Sequence, residues 1–458
     1  MHETQMRVNI RTQIFRGYSI ISHVGEMIMN YILTIDVGSS FIKYALFEEG
    51  TETLRESFQD TFPPFLKLDD RRRKENDPEA VFMTLKSGIE RALSGHEVSA
   101  IYIDTQMHGY ILSDAFFSPL SNYVTWQDGL AEESYLKLKG ELSQEQLCHM
   151  GTRYKTGLTA CSLHARRGEL RRIEGEIYLH TLAGYVFGRL AGSSPVTFCH
   201  ETMAASLGLY DIETGDWDGD IVNKVCGSRV VLPRIIHGNG QATEYKGIPV
   251  YGDYGDHQAS VYGCDGYDES SMVLTLGTAG ILSTPSEKIT YGEYETRPFF
   301  NGTYLNTVTR QPGGRTVDVV IDLFRASYSM LSGKEISRSD VWKKIERTES
   351  SGGLKIYPGY FLERPMGEIS GIDGSNLTPG GLLYAGIKGM TDFLIDSIKQ
   401  QCNIIPGIRK LIVSGGKLAH DPLVLKLLRE GLELEIRESE KNDEALYGLA
   451  RLAKENIR

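Results

Sequence analysis

Two short runs in this 458-residue chain place small residues where a backbone could close on an anion. Asp36-Val37-Gly38-Ser39-Ser40 ends one apolar run, and Gly277-Thr278-Ala279-Gly280 ends another. A phosphate needs several backbone N–H groups converging on it, and only small residues let the chain come that close. Asp36 sets a carboxylate beside the first turn. That is repulsive unless a cation lies between, and Mg²⁺ held through water meets the need. Lys43, just past the turn, can neutralise a further oxygen. A third run, Ser414-Gly415-Gly416-Lys417, follows the short strand Lys410–Val413 and precedes Asp421-Pro422, an N-cap and a first-turn proline. Strand, glycine pair and helix start suit a nucleotide, although the GxxxxGK[ST] spacing of a P-loop is absent. Each run also reads as an ordinary turn.

Proton transfer and hydroxyl recognition need other residues. Gly255-Asp256-His257 stands between a strand end and a helix start, so Asp256 can face a cleft and take a proton from an alcohol, as phosphoryl transfer requires. The alternatives are that Asp256 only caps the helix, or that Asp253 is the base. Gln106-Met107-His108-Gly109 ends a strand, and Thr125-Trp126-Gln127-Asp128-Gly129 follows a short β-like stretch. A Trp face beside a carboxylate suits a polyol, with its C–H faces on the ring and its hydroxyls on the acceptor. Taken alone, each reads more readily as core: Trp126 as packing, His108 as a satisfied core histidine.

The elements carrying these residues alternate. Tyr31–Val37 and Phe41–Phe47 form a hairpin whose tip is Gly38 and two hydroxyls. Ser271–Leu276 and Ile281–Ser283 repeat the device, and Val98–Asp104 is a further strand. Helical patterns span 131–148, 161–174, 179–190, 381–401, 422–434 and 443–456. The class is α/β, and two halves of similar plan suggest a duplicated fold around a central cleft, divided near 264–272. Residues 1–28 carry three Arg and no clear apolar stripe, so they are expected to be a leader or an upstream start. The net charge of −11 argues against bulk affinity for nucleic acid or an anionic membrane surface. No run approaches the roughly 20 apolar residues of a membrane span. The six Cys are scattered without a CxxC pair, which favours a reducing cytoplasm over a disulfide framework or zinc site.

These residues, in this order, resemble the FGGY carbohydrate kinases of the actin/hexokinase-like superfamily. The resemblance rests on IDVGSSFIK (35–43), NDP (76–78), QMHG (106–109), TWQDG (125–129), GDHQASVYGC (255–264), LGTAG (276–280), SGGKLAHDPLV (414–424) and EALYGLA (444–450). VTWQDG, GDHQASVYGC, FNGTYL (300–305) and Gly313-Gly314 look closest to sedoheptulokinases, while QMHG and WQDG also fit xylulokinases. The resemblance implies two ribonuclease H-like domains flanking the cleft, 29–266 for sugar and base and 267–458 for nucleotide. It implies ATP and Mg²⁺ as cofactors and Asp256 as base. Asp36 and Asp256 would place the metal, and Gly38, Ser39, Ser40 and Lys43 would sit at the transferring phosphate. Gly277, Thr278 and Gly313 would sit at the other phosphates, and Gly415 and Gly416 along the adenosine. Gln106, Met107, His108, Trp126, Asp128 and His257 would line the sugar site. Leu130 stands where many members have Arg, and His257 where many have Asn or Gln, so both bear on which sugar is bound. The expected activity is phosphorylation of a ketose at a primary hydroxyl, sedoheptulose first. The rivals are a xylulose or ribulose kinase, a sensor that has lost catalysis, and an actin-like filament protein. A homodimer remains compatible.

Overall fold

The computed structural model describes residues 30–192, 194–227, 229–359 and 366–457; the expected leader lies outside them. Six strands form the first sheet: β1 (Asn30–Val37), β2 (Phe41–Glu48), β3 (Leu54–Thr61), β4 (Glu97–Thr105), β5 (Gln241–Tyr245) and β6 (Ile248–Gly255), in the order β5-β6-β4-β1-β2-β3. The second comprises β7 (Ser271–Leu276), β8 (Gly280–Ser286), β9 (Glu295–Pro298), β10 (Tyr304–Gln311), β11 (Lys410–Gly415) and β12 (Glu435–Glu438), in the order β9-β10-β8-β7-β11-β12. The plan is the same twice. β1 pairs antiparallel with β2 and parallel with β4, and β7 pairs antiparallel with β8 and parallel with β11. The chain is a duplicated, actin/hexokinase-like α/β protein.

Parallel pairing is what gathers the chemistry. Ile32–Val37 is buried along its whole length, on both faces of the sheet, as a central strand with a parallel neighbour requires. Because β1, β4 and β6 run the same way, their polar ends share one edge: Asp36 lies opposite Asp104, and Tyr254 opposite the same Asp104. In the second sheet Leu276 of β7 lies opposite Gly415 of β11, so two glycine turns leave the same edge. Ligands of open α/β sheets bind outside such strand ends.

Helices α1 (Pro78–Leu93), α2 (Asp256–Gly263), α3 (Gly314–Ser332), α4 (Pro379–Ile404), α5 (Pro422–Gly431) and α6 (Glu444–Asn456) hold the sheets in place. Asp77 caps α1 by accepting from the Glu79 N–H at 3.0 Å, with Pro78 at its start, so Asn76-Asp77-Pro78 is a helix-start signal. α2 and α6 cross between the two sheets in one buried cluster that includes Ile32 and Tyr102 of the first sheet and Val273 and Ile412 of the second. They touch backbone to backbone: a Cβ on Gly263 would lie 1.8 Å from the Glu444 carbonyl, and one on Gly448 would lie 2.0 Å from the Ala259 carbonyl. Two of the motif glycines therefore serve a helix crossing. Leu449 and Leu452 are fully buried there, each contributing about 1.5–3 kcal/mol.

Four expected helices are shorter or broken, among them 422–434, which ends at Gly431. The pattern 131–148 divides into a 3₁₀ turn (Leu130–Glu133) and helices Tyr135–Gly140 and Gln144–His149, because Ser143 and Gln146 form a capping box that starts a new helix. The pattern 161–174 divides into Thr159–Ala165 and Arg167–Leu170. In 179–190 a strand ends at His180, and Thr181 caps a helix over Leu182–Ala191. No helix among the described residues is long and apolar enough to cross a membrane.

Candidate active site

Four carboxyl groups collect at the edge of the first sheet. Asp36, at the end of β1, accepts from Lys43 Nζ at 3.3 Å, and the same ammonium reaches Asp443 at 3.0 Å, just before α6. Lys43 is therefore already engaged with two acids. Burial raises the Asp36 carboxyl above its ordinary range, with Lys43 opposing. Asp104, on the neighbouring strand, is fully buried, and among the described residues no N–H donor reaches either of its oxygens; burial first, then the charges of Asp36 and Asp256, push it well up. Asp104 is absent from the sequence expectations, yet the signal was there: Tyr102-Ile103-Asp104 ends its strand as Thr34-Ile35-Asp36 does.

Asp256 and Asp253 differ in access. Asp253 is fully buried and accepts from the Thr105 hydroxyl at 2.7 Å. Asp256 opens α2 and remains half-buried, with Gly255 as the N-cap; its Oδ1 accepts from the His257 N–H at 2.8 Å, its one partner among the described residues. Burial, then the Asp36 charge, lift its carboxyl to about 7, a value suited to a base working near neutrality.

The glycine turns face outward at the strand ends. Ser39 and Ser40 are exposed at the tip of the first hairpin, and Gly277, Thr278 and Ala279 at the tip of the second. Gly313 caps α3, and the N–H groups of Gly314 and Arg315 donate to the carbonyls of Gly277 and Thr278 at 2.8 and 3.0 Å. This ties the second hairpin to the start of a 19-residue helix. In the third turn the conformational demand falls on Gly415: its φ is +111°, and a Cβ would stand 2.7 Å from the Leu276 carbonyl. Gly416 has no such φ, and its Cβ would clear the same oxygen at 3.6 Å. Gly415→Ala should therefore cost about 1–3 kcal/mol of stability, whereas Gly416→Ala should melt like the parent. Calorimetric ATP titration of the stable Gly416 variant then reads any nucleotide role without a folding contribution; a Gly416→Ala protein that melts early would contradict this division.

The strand end Gln106–His108 is buried and partly unsatisfied. Neither polar atom of the Gln106 amide has a partner among the described residues. Met107 is buried and packs beside Gly255. His108 has a left-handed φ of 69°, and its Nδ1 donates to the Ser206 carbonyl at 2.5 Å. Burial, with Lys155 and Arg297 nearby, holds its imidazole neutral, well below the usual range. The Nε2 lone pair is thus left to accept from a ligand hydroxyl.

Asp128 corrects the sequence reading. Its two oxygens accept from both terminal nitrogens of Arg166 (3.2 and 2.9 Å), the Leu130 N–H (3.1 Å) and the Lys74 N–H (3.1 Å). A carboxylate has about four acceptor sites, and Asp128 is 1% exposed, so no capacity remains for a sugar hydroxyl. Arg166 also binds Glu75 at 2.8 Å, completing a buried acid–base–acid triad. Trp126 is 46% exposed, so it is not a core residue. His257 also differs from expectation: its Nε2 is paired with Ser283 Oγ of β8 at 2.8 Å, linking the two sheets, and burial lowers its imidazole to about 3.

One segment positions this whole side. Gly157 abuts the Trp126 carbonyl, Thr159 Oγ1 donates to the His108 carbonyl at 2.9 Å, Ser162 meets the Tyr110 hydroxyl at 3.1 Å, and Arg166 holds Asp128. Nothing in the sequence of 157–166 signals that role, because every partner is distant in the chain.

A duplicated α/β fold with carboxylates and glycine turns at facing strand ends defines a two-domain protein of the actin/hexokinase-like class. Residues 31–266, just over half the chain, match the FGGY family of carbohydrate kinases, N-terminal domain, and the chain belongs to that family. A glycerol kinase of Thermococcus onnurineus (strain NA1) is 26% identical over 431 residues, 86% of this chain and 83% of the relative. A glycerol kinase of Cereibacter sphaeroides (strain ATCC 17025 / ATH 2.4.3) is 26% identical over 308 residues, 63% of this chain, and the match spans 59% of that relative. Among solved structures, gluconate kinase from Lactobacillus acidophilus has a TM-score of 0.78 at 18% identity, covering 94% of this chain and 89% of that one. Xylulose kinase from Lactobacillus acidophilus has 0.77 at 18%, covering 94% and 90%. Plasmodium falciparum glycerol kinase with ADP has 0.78 at 19%, covering 94% and 90%. At these identities the structures establish the fold.

Proposed function

We propose that the chain transfers the γ-phosphoryl group of ATP to a primary hydroxyl of a ketose in the cytoplasm, sedoheptulose being the first candidate and sedoheptulose 7-phosphate the product. The carrying observation is Asp256: a half-open carboxyl whose proton affinity is lifted to near neutrality by burial and by the Asp36 charge. Asp256 accepts the hydroxyl proton as the oxygen forms its bond to the γ-phosphorus and the bond to the ADP oxygen breaks. Gln106 and His108, with unspent hydrogen-bonding capacity, hold the neighbouring hydroxyls. The turns at Gly38, Ser39, Ser40, Gly277 and Thr278 cradle the phosphates, with Gly313, Gly415 and Gly416 along the nucleotide.

Asp36 and Asp256 would hold Mg²⁺. Among the described residues no three His, Cys, Asp or Glu side chains form a ready metal cage. That suits Mg²⁺, which takes one or two carboxylates and completes its shell with water and phosphate oxygens. When bound, the ion supplies charge neutralisation at the phosphoryl oxygens.

A xylulose or ribulose kinase is the second reading, favoured by Gln106-Met107-His108-Gly109. The test is kcat/KM across sedoheptulose, xylulose, ribulose, fructose, glucose and glycerol. A site that hydrogen-bonds a particular hydroxyl rejects analogues lacking it by up to ~10⁴–10⁵, whereas extra carbons are discriminated weakly. Ketoses should therefore win clearly, with small differences among chain lengths. Preference for glucose or glycerol would overturn the ketose assignment, and no turnover with any acceptor would favour a sensor.

A further inference from the structure

Two adjacent arginines follow the Thr159–Ala165 helix, and they differ in their partners. Arg166 is buried and committed to Asp128 and Glu75. Arg167 is half-buried and forms no ion pair among the described residues. Together with Arg171 and Arg229 it lines a cavity of about 260 Å³. None of the lining residues is among the groups proposed to hold ATP or the acceptor. Three elements converge to build the cavity. The Arg167–Leu170 helix supplies Arg167 and, just past its end, Arg171. The Gly219–Val225 helix ends at Cys226, another lining residue. The Val230–Val231 strand runs parallel to Ile177–His180 with Val230 opposite Ile177, and the Ile177 N–H donates to the Arg229 carbonyl at 3.1 Å. Leu170 and Ile177 are buried members of one hydrophobic cluster and give the cavity an apolar floor. The Arg229 guanidinium is held in place: its Nη2 donates to the Gly175 carbonyl at 2.9 Å and to the Ile173 carbonyl. Its Nε and Nη1 hydrogens are left for a ligand.

No Asp or Glu lines the cavity among the described residues. The acids adjoining it in sequence are engaged elsewhere or open to water: Glu176 accepts from the Tyr178 hydroxyl at 2.7 Å, the Glu169 charge acts on Arg73, and Glu174 is exposed. On the flank by His164, Lys137 and Glu141 offset one another. Three positive charges thus share one hollow in a chain whose net charge is −11. Arginine does not deprotonate in proteins, so the repulsion persists until an anion enters. Forked guanidinium groups match phosphate oxygens two at a time. A phosphate monoester brings about −1.5 to −2, nearer to the surplus than a monocarboxylate does. The volume lies just under the roughly 300–1,000 Å³ of ordinary ligand sites, so it suits a phosphoryl group with a few carbons and is too small for a nucleotide.

We infer that Arg167, Arg171 and Arg229 form a further anion site, which takes a small soluble phosphate monoester. Its phosphoryl oxygens lie on the guanidinium groups and its carbons over Leu170 and Ile177. The inference goes beyond the kinase reading and does not depend on it.

Calorimetry with glycerol 2-phosphate tests this on the wild type, Arg167→Gln and Arg171→Gln. That ester carries its phosphate on a secondary carbon, so it is not a product of transfer to a primary hydroxyl. A hydrogen bond between charged groups is worth roughly a 10–100-fold change in binding. Each variant should therefore bind the ester about 10–100-fold more weakly than the wild type, and the wild-type affinity should fall as salt is raised. Neither Arg167 nor Arg171 holds an ion pair among the described residues, so both variants should melt with the parent; if one melts early, the other decides. No binding by the wild type, an affinity unmoved by both substitutions, or citrate bound more tightly than the ester would each overturn the inference. So would binding to phosphatidate vesicles without binding of the soluble ester. Each of these outcomes leaves the kinase reading intact, because no turnover enters the measurement.

Discussion

Asp256→Asn is expected to lower kcat by about 10²–10⁴, the usual loss when a positioned base is removed, while ATP affinity stays near that of the parent. The amide keeps the size and the acceptor oxygen facing the His257 N–H at 2.8 Å, but it cannot take a proton. The parent should also show an acid limb in kcat/KM, rising with pH through about 7, because a carboxyl lifted to that value is protonated, and inactive, below it; the variant's residual activity should lack this limb. Stability provides the control. The Asp256 carboxyl is raised from 3.8 to about 7 in the fold, so the native state holds this proton more tightly than the unfolded chain. Its contribution is full below about 3.8 and is lost as pH rises through about 7. The amide removes that loss, so at pH 8 the variant should melt no earlier than the parent. An unchanged kcat would eliminate Asp256 as the base.

Asp128→Ala is expected to act on folding. Among the described residues it leaves Arg166, which is 5% exposed, with Glu75 and Ser162 alone, and it removes the acceptor of the Lys74 and Leu130 N–H groups. Breaking a buried ion pair by deleting one partner costs about 3–5 kcal/mol, a large share of the 5–15 kcal/mol that typically separates native from unfolded protein. Urea unfolding should show a lower midpoint with an unchanged m-value, and ATP binding and sugar binding should weaken together as the folded fraction falls. A stable Asp128→Ala protein with only a raised sugar KM would return Asp128 to the sugar site.

The contrast between Asp256 and Asp128 shows where sequence is informative. Each stands beside glycine in a motif, and each is a carboxylate that could face a ligand. The structure separates them by counting partners: one accepts a single backbone N–H, while the other accepts four bonds from groups 2 to 54 residues away. The same holds for the glycines. Gly415 and Gly416 are adjacent and look alike in sequence, but only the register of β7 against β11 brings the Leu276 carbonyl over Gly415.

The sequence by itself determined the class, the duplicated hairpins, the strand-end turns and the helix start at Asp421-Pro422. Those features follow from local rules: apolar runs, small residues at reversals, and side-chain caps for orphan N–H groups. Only the tertiary structure decided which residues share a space. Parallel pairing of β1 with β4 laid Asp104 beside Asp36, and the crossing of α2 over α6 consumed Gly263 and Gly448. The 151–157 loop leaning on β9 brought Thr152 to Glu295 and Gly151 to the Thr296 carbonyl. Such contacts join positions far apart in the chain, where no periodicity or spacing links one residue to the other. They are fixed instead by strand register and by backbone approach.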